Sequence, residues 1–114
     1  MAELDADART RAIRKYCALF GLTPPIPGQP LPTFARTVQT CRSFPSQWNA
    51  WGADGQYYYL RYRSGRGTIE CAASEDAYRE RGPSRLVAAF FVDDEEYVGE
   101  MSLEEFLRLA ATDG

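Results

Sequence analysis

The chain has 114 residues, 45% of them hydrophobic and 25% charged, with a formal net charge of −3. That is the size and balance of one globular domain with a single core. No window holds the roughly 20 apolar residues of a membrane span, and the absence of histidine removes the commonest general base and metal ligand.

Charge is unevenly spread. Residues 1–72 carry nine basic and five acidic side chains, whereas residues 73–114 carry four basic and eleven acidic ones. The second half would repel a phosphate backbone. Twelve of the thirteen basic residues are arginines, the exception being Lys15, a bias that GC-rich coding produces. Cys17, Cys41 and Cys71 are odd in number and far apart, unlike a disulfide framework or a paired zinc motif. They are expected to be small buried core residues in a reducing compartment. The acidic start, Met1 to Asp5, lacks the apolar centre of a secretory leader, so a cytoplasmic location is expected.

In chain order, residues 5–20 predict a helix. Ala8, Ala12, Ile13, Tyr16, Cys17 and Phe20 share one face, Asp5 and Asp7 suit its positive end, and Gly21 suits the position after its last turn. Residues 23–32 hold five of the seven prolines and predict an extended connector. The P-x-x-P matches starting at Pro24 and Pro27 are read as a strap tucked onto the core by Ile26 and Leu31, in preference to a docking motif. Residues 33–44 place Phe34, Val38 and Cys41 on one helical face, which predicts a short helix, although the threonines and Pro45 would also fit a strand.

The period then changes to two. Trp48 and Trp51, three apart, would point to opposite sides of a strand, and residues 52–55 end in an Asp-Gly turn signal. Residues 56–63 alternate, with Tyr58, Leu60 and Tyr62 inward and Tyr57, Tyr59, Arg61 and Arg63 outward. Residues 64–67 supply a turn. Residues 68–72 return with Ile69 and Cys71 inward, and with Thr68 and Glu70 outward, where Glu70 can meet an arginine of the hairpin. Residues 73–84 read as a polar loop or one helical turn. Residues 85–92 are apolar on both faces and predict a central strand covered on both sides. An acidic turn at 93–96 and a short edge strand at 97–100 follow. Ser102-Leu103-Glu104-Glu105 is a capping box opening a helix with Leu103, Phe106, Leu107 and Ala110 as its buried stripe.

These elements predict an α+β fold: an antiparallel β-meander of four to five strands packed against N- and C-terminal helices on one face, in two layers. Residues 1–114 form a single domain, divided into an N-terminal helix (1–21), a Pro-rich connector (22–32), and the sheet with the C-terminal helix (33–114).

Tyr57, Tyr59, Arg61 and Arg63, with Arg66 at the turn, are the candidate partner-binding residues, because Tyr and Arg are favoured anchors of protein interfaces. The same residues could stack bases and neutralise phosphates, which makes nucleic acid the second reading. A plain sheet face, with arginines lying over tyrosines, would look alike. Asp93, Asp94, Glu95 and Glu96 form a secondary acidic candidate of the immunity or inhibitor kind. They lack the ligand order and central glycine of a calcium loop, so no metal and no cofactor is expected.

The stretch DGQYYYLRYRSGRG at residues 54–67, followed by GEMSLEEF at residues 99–106, resembles short uncharacterised proteins of high-GC bacteria and their phages. The resemblance covers roughly the second half of the sequence. It implies a small accessory protein of a phage or mobile element and no catalytic residue. The expectation is a non-catalytic accessory or regulatory protein that binds another protein, with self-association also compatible.

Overall fold

The computed structural model describes residues 6–26, 30–43 and 45–113. Helix α1 spans Ala6–Phe20 and ends at Gly21, whose φ of +67° is the left-handed backbone that glycine adopts without strain. The connector then touches the sheet. Thr23 N–H donates to the Ser84 carbonyl at 3.2 Å, Leu86 N–H donates to the Thr23 carbonyl at 2.9 Å, and Arg85 Nη1 donates to the Pro24 carbonyl at 2.9 Å. Residues 27–29 of the connector, like residue 5 of the predicted helix, lie outside the described residues.

Five strands follow: β1 Phe34–Cys41, β2 Ser46–Gly52, β3 Tyr57–Arg63, β4 Arg66–Ala72 and β5 Ser84–Phe91. They form one antiparallel sheet in chain order, the expected meander. Helix α2, Glu75–Arg79, lies between β4 and β5 and is capped by Ser74, whose Oγ accepts the Ala77 N–H at 3.0 Å. A 3-10 turn, Asp94–Glu96, leads to helix α3, Leu103–Asp113. Ser102 Oγ accepts the Glu105 N–H at 3.2 Å. The Glu105 carboxylate turns instead to the Tyr97 hydroxyl, at 2.7 Å, and to Arg108, so only the forward half of the capping box forms. Hydrogen bonds from Arg108, then Tyr97, hold that carboxyl down at about 2.

Several expectations change. Residues 33–44, expected as a helix, contain strand β1, where β-branched Thr37, Val38 and Thr40 favour extended backbone. Bulges between Phe34 and Arg36 and between Gln39 and Cys41 distort this edge and discourage another strand from adding to it. Residues 97–100 are a turn rather than a strand, with an isolated Ser43↔Glu100 bridge at its end and the Tyr97 ring packed against Tyr62 of β3. The β3–β4 turn is the two residues Ser64 and Gly65, both at positive φ, as a tight hairpin requires; Arg66 and Gly67 belong to β4. Strand β5 is last in the sheet rather than central, yet both its faces are covered. Cys17 is buried, whereas Cys41 and Cys71 are only half-buried; all three are free thiols.

The layering also differs. Cross-strand neighbours share a face. On the first face, Trp48, Leu60, Tyr62, Ile69 and Phe90 pack with Phe106, Leu109 and Ala110 of α3. On the second, Leu86 and Ala89 pack with Cys17, Ile13 and Tyr16 of α1. The terminal helices therefore lie on opposite faces of the sheet, making three layers instead of two. A bulge opposite Ile69 and Glu70 lets Leu86 serve the second face while Val87 and Ala88 serve the first. A strand apolar on both sides needs cover on both.

Gly67 holds the hairpin against the first core. A Cβ there would lie 2.1 Å from the Phe90 ring, and Phe90 is fully buried. Gly67→Ala is expected to cost about 1–3 kcal/mol through overpacking, measured as a lower urea midpoint with an unchanged slope. A wild-type midpoint would mean that the ring does not lie across the glycine.

Candidate functional site

Alternation sends Tyr57, Tyr59 and Arg61 of β3 to the second face. Asn49 and Gln47 of β2 stand beside Tyr59 and Arg61 on one side, and Glu70 and Thr68 of β4 on the other. Helix α1 packs on β5 and α2 on β4. A cleft of about 930 Å³ opens between the C-terminal end of α1 and the segment formed by α2 and the turn after it. Gln47, Asn49, Tyr59, Arg61 and Glu70 form its floor. Tyr16, Phe20 and Leu22 stand on one wall; Tyr78, Arg79 and Arg81 stand on the other.

The hairpin face expected to be open is thus partly covered. Tyr57 is 2% exposed and its hydroxyl donates to Asn49 Oδ1 at 2.7 Å. The Tyr78 ring lies 5.9 Å from Tyr57 and 4.9 Å from Tyr59, so α2 caps both tyrosines. Tyr59 and Arg61 are half-buried in the cleft, and Arg63 is exposed at the hairpin end. Arg66 lies with its guanidinium 4.6 Å from the Tyr16 ring and does not line the cleft. The five candidates are therefore divided, three in the cleft and two beyond it.

Sequence reasoning missed the walls. Phe20 was assigned to the packed face of its helix, yet it is 60% exposed beside Leu19 at 69%. Tyr78 sits in a polar stretch with no apolar period to flag it. The available signal was Ser74 before Glu75 and Asp76, a helix-start pattern that places Tyr78 on a turn facing the sheet.

Glu70 does not point into solvent to meet an arginine. It is buried, its Oε2 accepting the Tyr78 hydroxyl at 3.2 Å and its Oε1 the Ser84 hydroxyl at 3.3 Å. Burial raises its pKa, opposed by those two hydrogen bonds and by the charge of Arg61. Burial also pushes the Tyr57 and Tyr59 phenols up to about 12 and raises that of Tyr78, so all three keep their protons at neutral pH. The Nε of Arg61 is buried and has no hydrogen-bond partner among the described residues. With Arg61, Arg79 and Arg81 against the single carboxylate Glu70, the cleft is rich in donors.

The raised carboxyl of Glu70 fixes a sign. Its contribution to stability is complete below the ordinary glutamate range and is lost as pH rises through the folded-state value. Glu70→Gln removes that loss. Its stability relative to the wild type is expected to improve between pH 4 and pH 7, measured by thermal melts at both. An equal difference at the two pH values would contradict the burial argument.

The acidic candidate lies elsewhere and is largely consumed by its own turn. Asp93 Oδ1 accepts the Glu95 N–H at 3.0 Å, while Asp94 Oδ1 accepts the Gly99 N–H at 3.1 Å and a short hydrogen bond from the Tyr62 hydroxyl. Glu95 is exposed, and the side chain of Glu96 lies outside the described residues. Among the described residues, no three His, Cys, Asp or Glu side chains are grouped to hold a metal ion, and no helix is long and apolar enough to cross a membrane.

The fold and the cleft define a class: an α+β domain whose five-stranded meander carries an arginine- and tyrosine-lined cleft on one face. Comparison with protein-family models, curated proteins and solved structures finds no match to the sequence or its fold.

Proposed function

We propose that this is a small non-catalytic accessory or regulatory protein that works by binding another protein, which enters the cleft between α1 and α2. The observation that carries this reading is the cleft itself. Its tyrosines and arginines are the residue types that anchor protein interfaces, and exposed Phe20 adds apolar surface at its mouth. Nucleic acid is favoured less, because Tyr57 is buried and the Tyr59 and Tyr78 rings face each other at 4.9 Å, leaving few ring faces for bases. The acidic turn is favoured less because Asp93 and Asp94 are engaged in building it.

Photo-crosslinking from defined positions tests the reading. Benzoylphenylalanine replaces Phe20 at the cleft mouth or, as a control, Val98, which is 65% exposed and does not line the cleft. Irradiation in native lysate is expected to yield a nuclease-resistant protein adduct from position 20 that is absent from position 98 and lost in the Tyr59→Ala/Arg61→Ala background. An adduct from position 98 alone, or one that nuclease removes, would overturn the reading.

A further inference from the structure

Arg61 is the cleft residue left without a protein partner at its buried nitrogen. It stands in the middle of β3 between Gln47 and Thr68, on a rigid element that fixes its direction. Its Nε is buried and unbonded among the described residues. Nor does Glu70 complete it: its oxygens accept the hydroxyls of Tyr78 and Ser84, and no ion pair joins it to Arg61 among the described residues. A buried donor left open is costly to the free protein. A ligand meets the part of this half-buried side chain that lines the cleft, where solvent competes less than at an open surface.

Chemistry narrows the ligand. With Arg61, Arg79 and Arg81 against Glu70, whose oxygens are hydrogen-bonded to hydroxyls, the charge lining the cleft is positive. Arg81 adds positive charge at the mouth, and Arg79 adds more although it is tied to Glu75. A guanidinium presents parallel N–H groups that match the two oxygens of a carboxylate. Resting on the reading of the cleft as a protein-binding site, we infer that Arg61 anchors a carboxylate of the partner, supplied by an aspartate or glutamate side group or by the partner's terminal α-carboxylate. Tyr59 and the Phe20 wall then hold the apolar residues flanking that carboxylate.

The test uses peptides selected from a random displayed library against the full-length protein. Each is remade with its acidic side groups as amides and, separately, with its C-terminus free or amidated. Titration against the wild type is expected to show at least a tenfold loss when the anchoring carboxylate becomes an amide; the arm that shows it identifies the source. Arg61→Gln is expected to bind carboxylate and amide forms alike, with the amide affinity unchanged from the wild type. Circular dichroism and melting establish that the variant is folded. Should it not fold, Arg61→Lys, which keeps the charge and loses the fork, is expected to reduce the discrimination. Discrimination that survives in the folded variants, or a wild type with no carboxylate preference, overturns the inference. If Tyr59→Ala still weakens those peptides, the cleft reading stands without it. Selected peptides indifferent to Tyr59→Ala, or failure to select any peptide, count against both.

Discussion

Phe106→Ala is expected to remove about 3–5 kcal/mol of folding stability, the range for truncating a fully buried phenylalanine. Phe106 is fully buried, with its ring 5.4 Å from Trp48 and 5.0 Å from Phe90. It joins α3 to strands from both sides of the sheet's centre, and no other described helix packs in that core. The neighbours cannot close the space easily, since Trp48 and Phe90 are themselves buried and Phe90 is pinned across Gly67. A domain of this size has only about 5–15 kcal/mol to lose, so its melting temperature should fall by more than about 10 °C. Trp48 reports the same event. Its fluorescence should shift to longer wavelength as water reaches the indole, in parallel with the denaturation curve. A loss under about 1 kcal/mol would mean that α3 does not seal the first face.

Arg61→Met should move binding and stability in different directions. Methionine keeps much of the length and the apolar stem of arginine and removes the charge together with the unbonded buried Nε. Stability is expected to stay level or rise by about 1 kcal/mol, while affinity for a carboxylate-bearing partner falls by at least tenfold. A residue kept for the fold would show the reverse, with stability falling. One coupling must be separated. The charge of Arg61 lowers the raised pKa of Glu70, so removing it makes the buried carboxylate less favourable at neutral pH. The stabilisation is therefore expected to be larger in a Glu70→Gln background and at pH 4 than in the wild type at pH 7, which double-mutant melts measure directly.

The hairpin was the most legible element because two local signals agreed. Residues 56–63 alternate, and Ser64-Gly65 occupies the turn at positive φ in the folded protein. Leu60 and Tyr62 are buried, as their positions implied. Strand β1 was not legible for a physical reason. Phe34, Val38 and Cys41 mimic a helical period, and the two bulges interrupt the strand's period of two. The covering of Tyr57 and Tyr59 was hidden for another reason. A five-residue helix with no buried residue carries no stripe, although Tyr78 reaches the sheet from it through ring contacts and Glu75 accepts a hydrogen bond from Asn49. Strand β5 held the clue to the layering. Its two apolar faces announced cover on both sides, and that observation conflicts with two helices on one face. Of the site, Tyr59 and Arg61 could be read in advance; the walls that turn them into a cleft come from tertiary packing between α1, α2 and the sheet.

The most direct test of the cleft as a carboxylate-binding site is the NMR signal of the Arg61 Nε–H, followed while a selected carboxylate-bearing peptide is added. The expected result is a large downfield shift of that proton with slowed exchange, accompanied by shifts at Tyr59, Tyr78 and Phe20, and absent with the amide form of the peptide. Shifts confined to Arg63 and Arg66, or to the turn at Asp94–Glu96, with the Arg61 signal unmoved, would contradict the account.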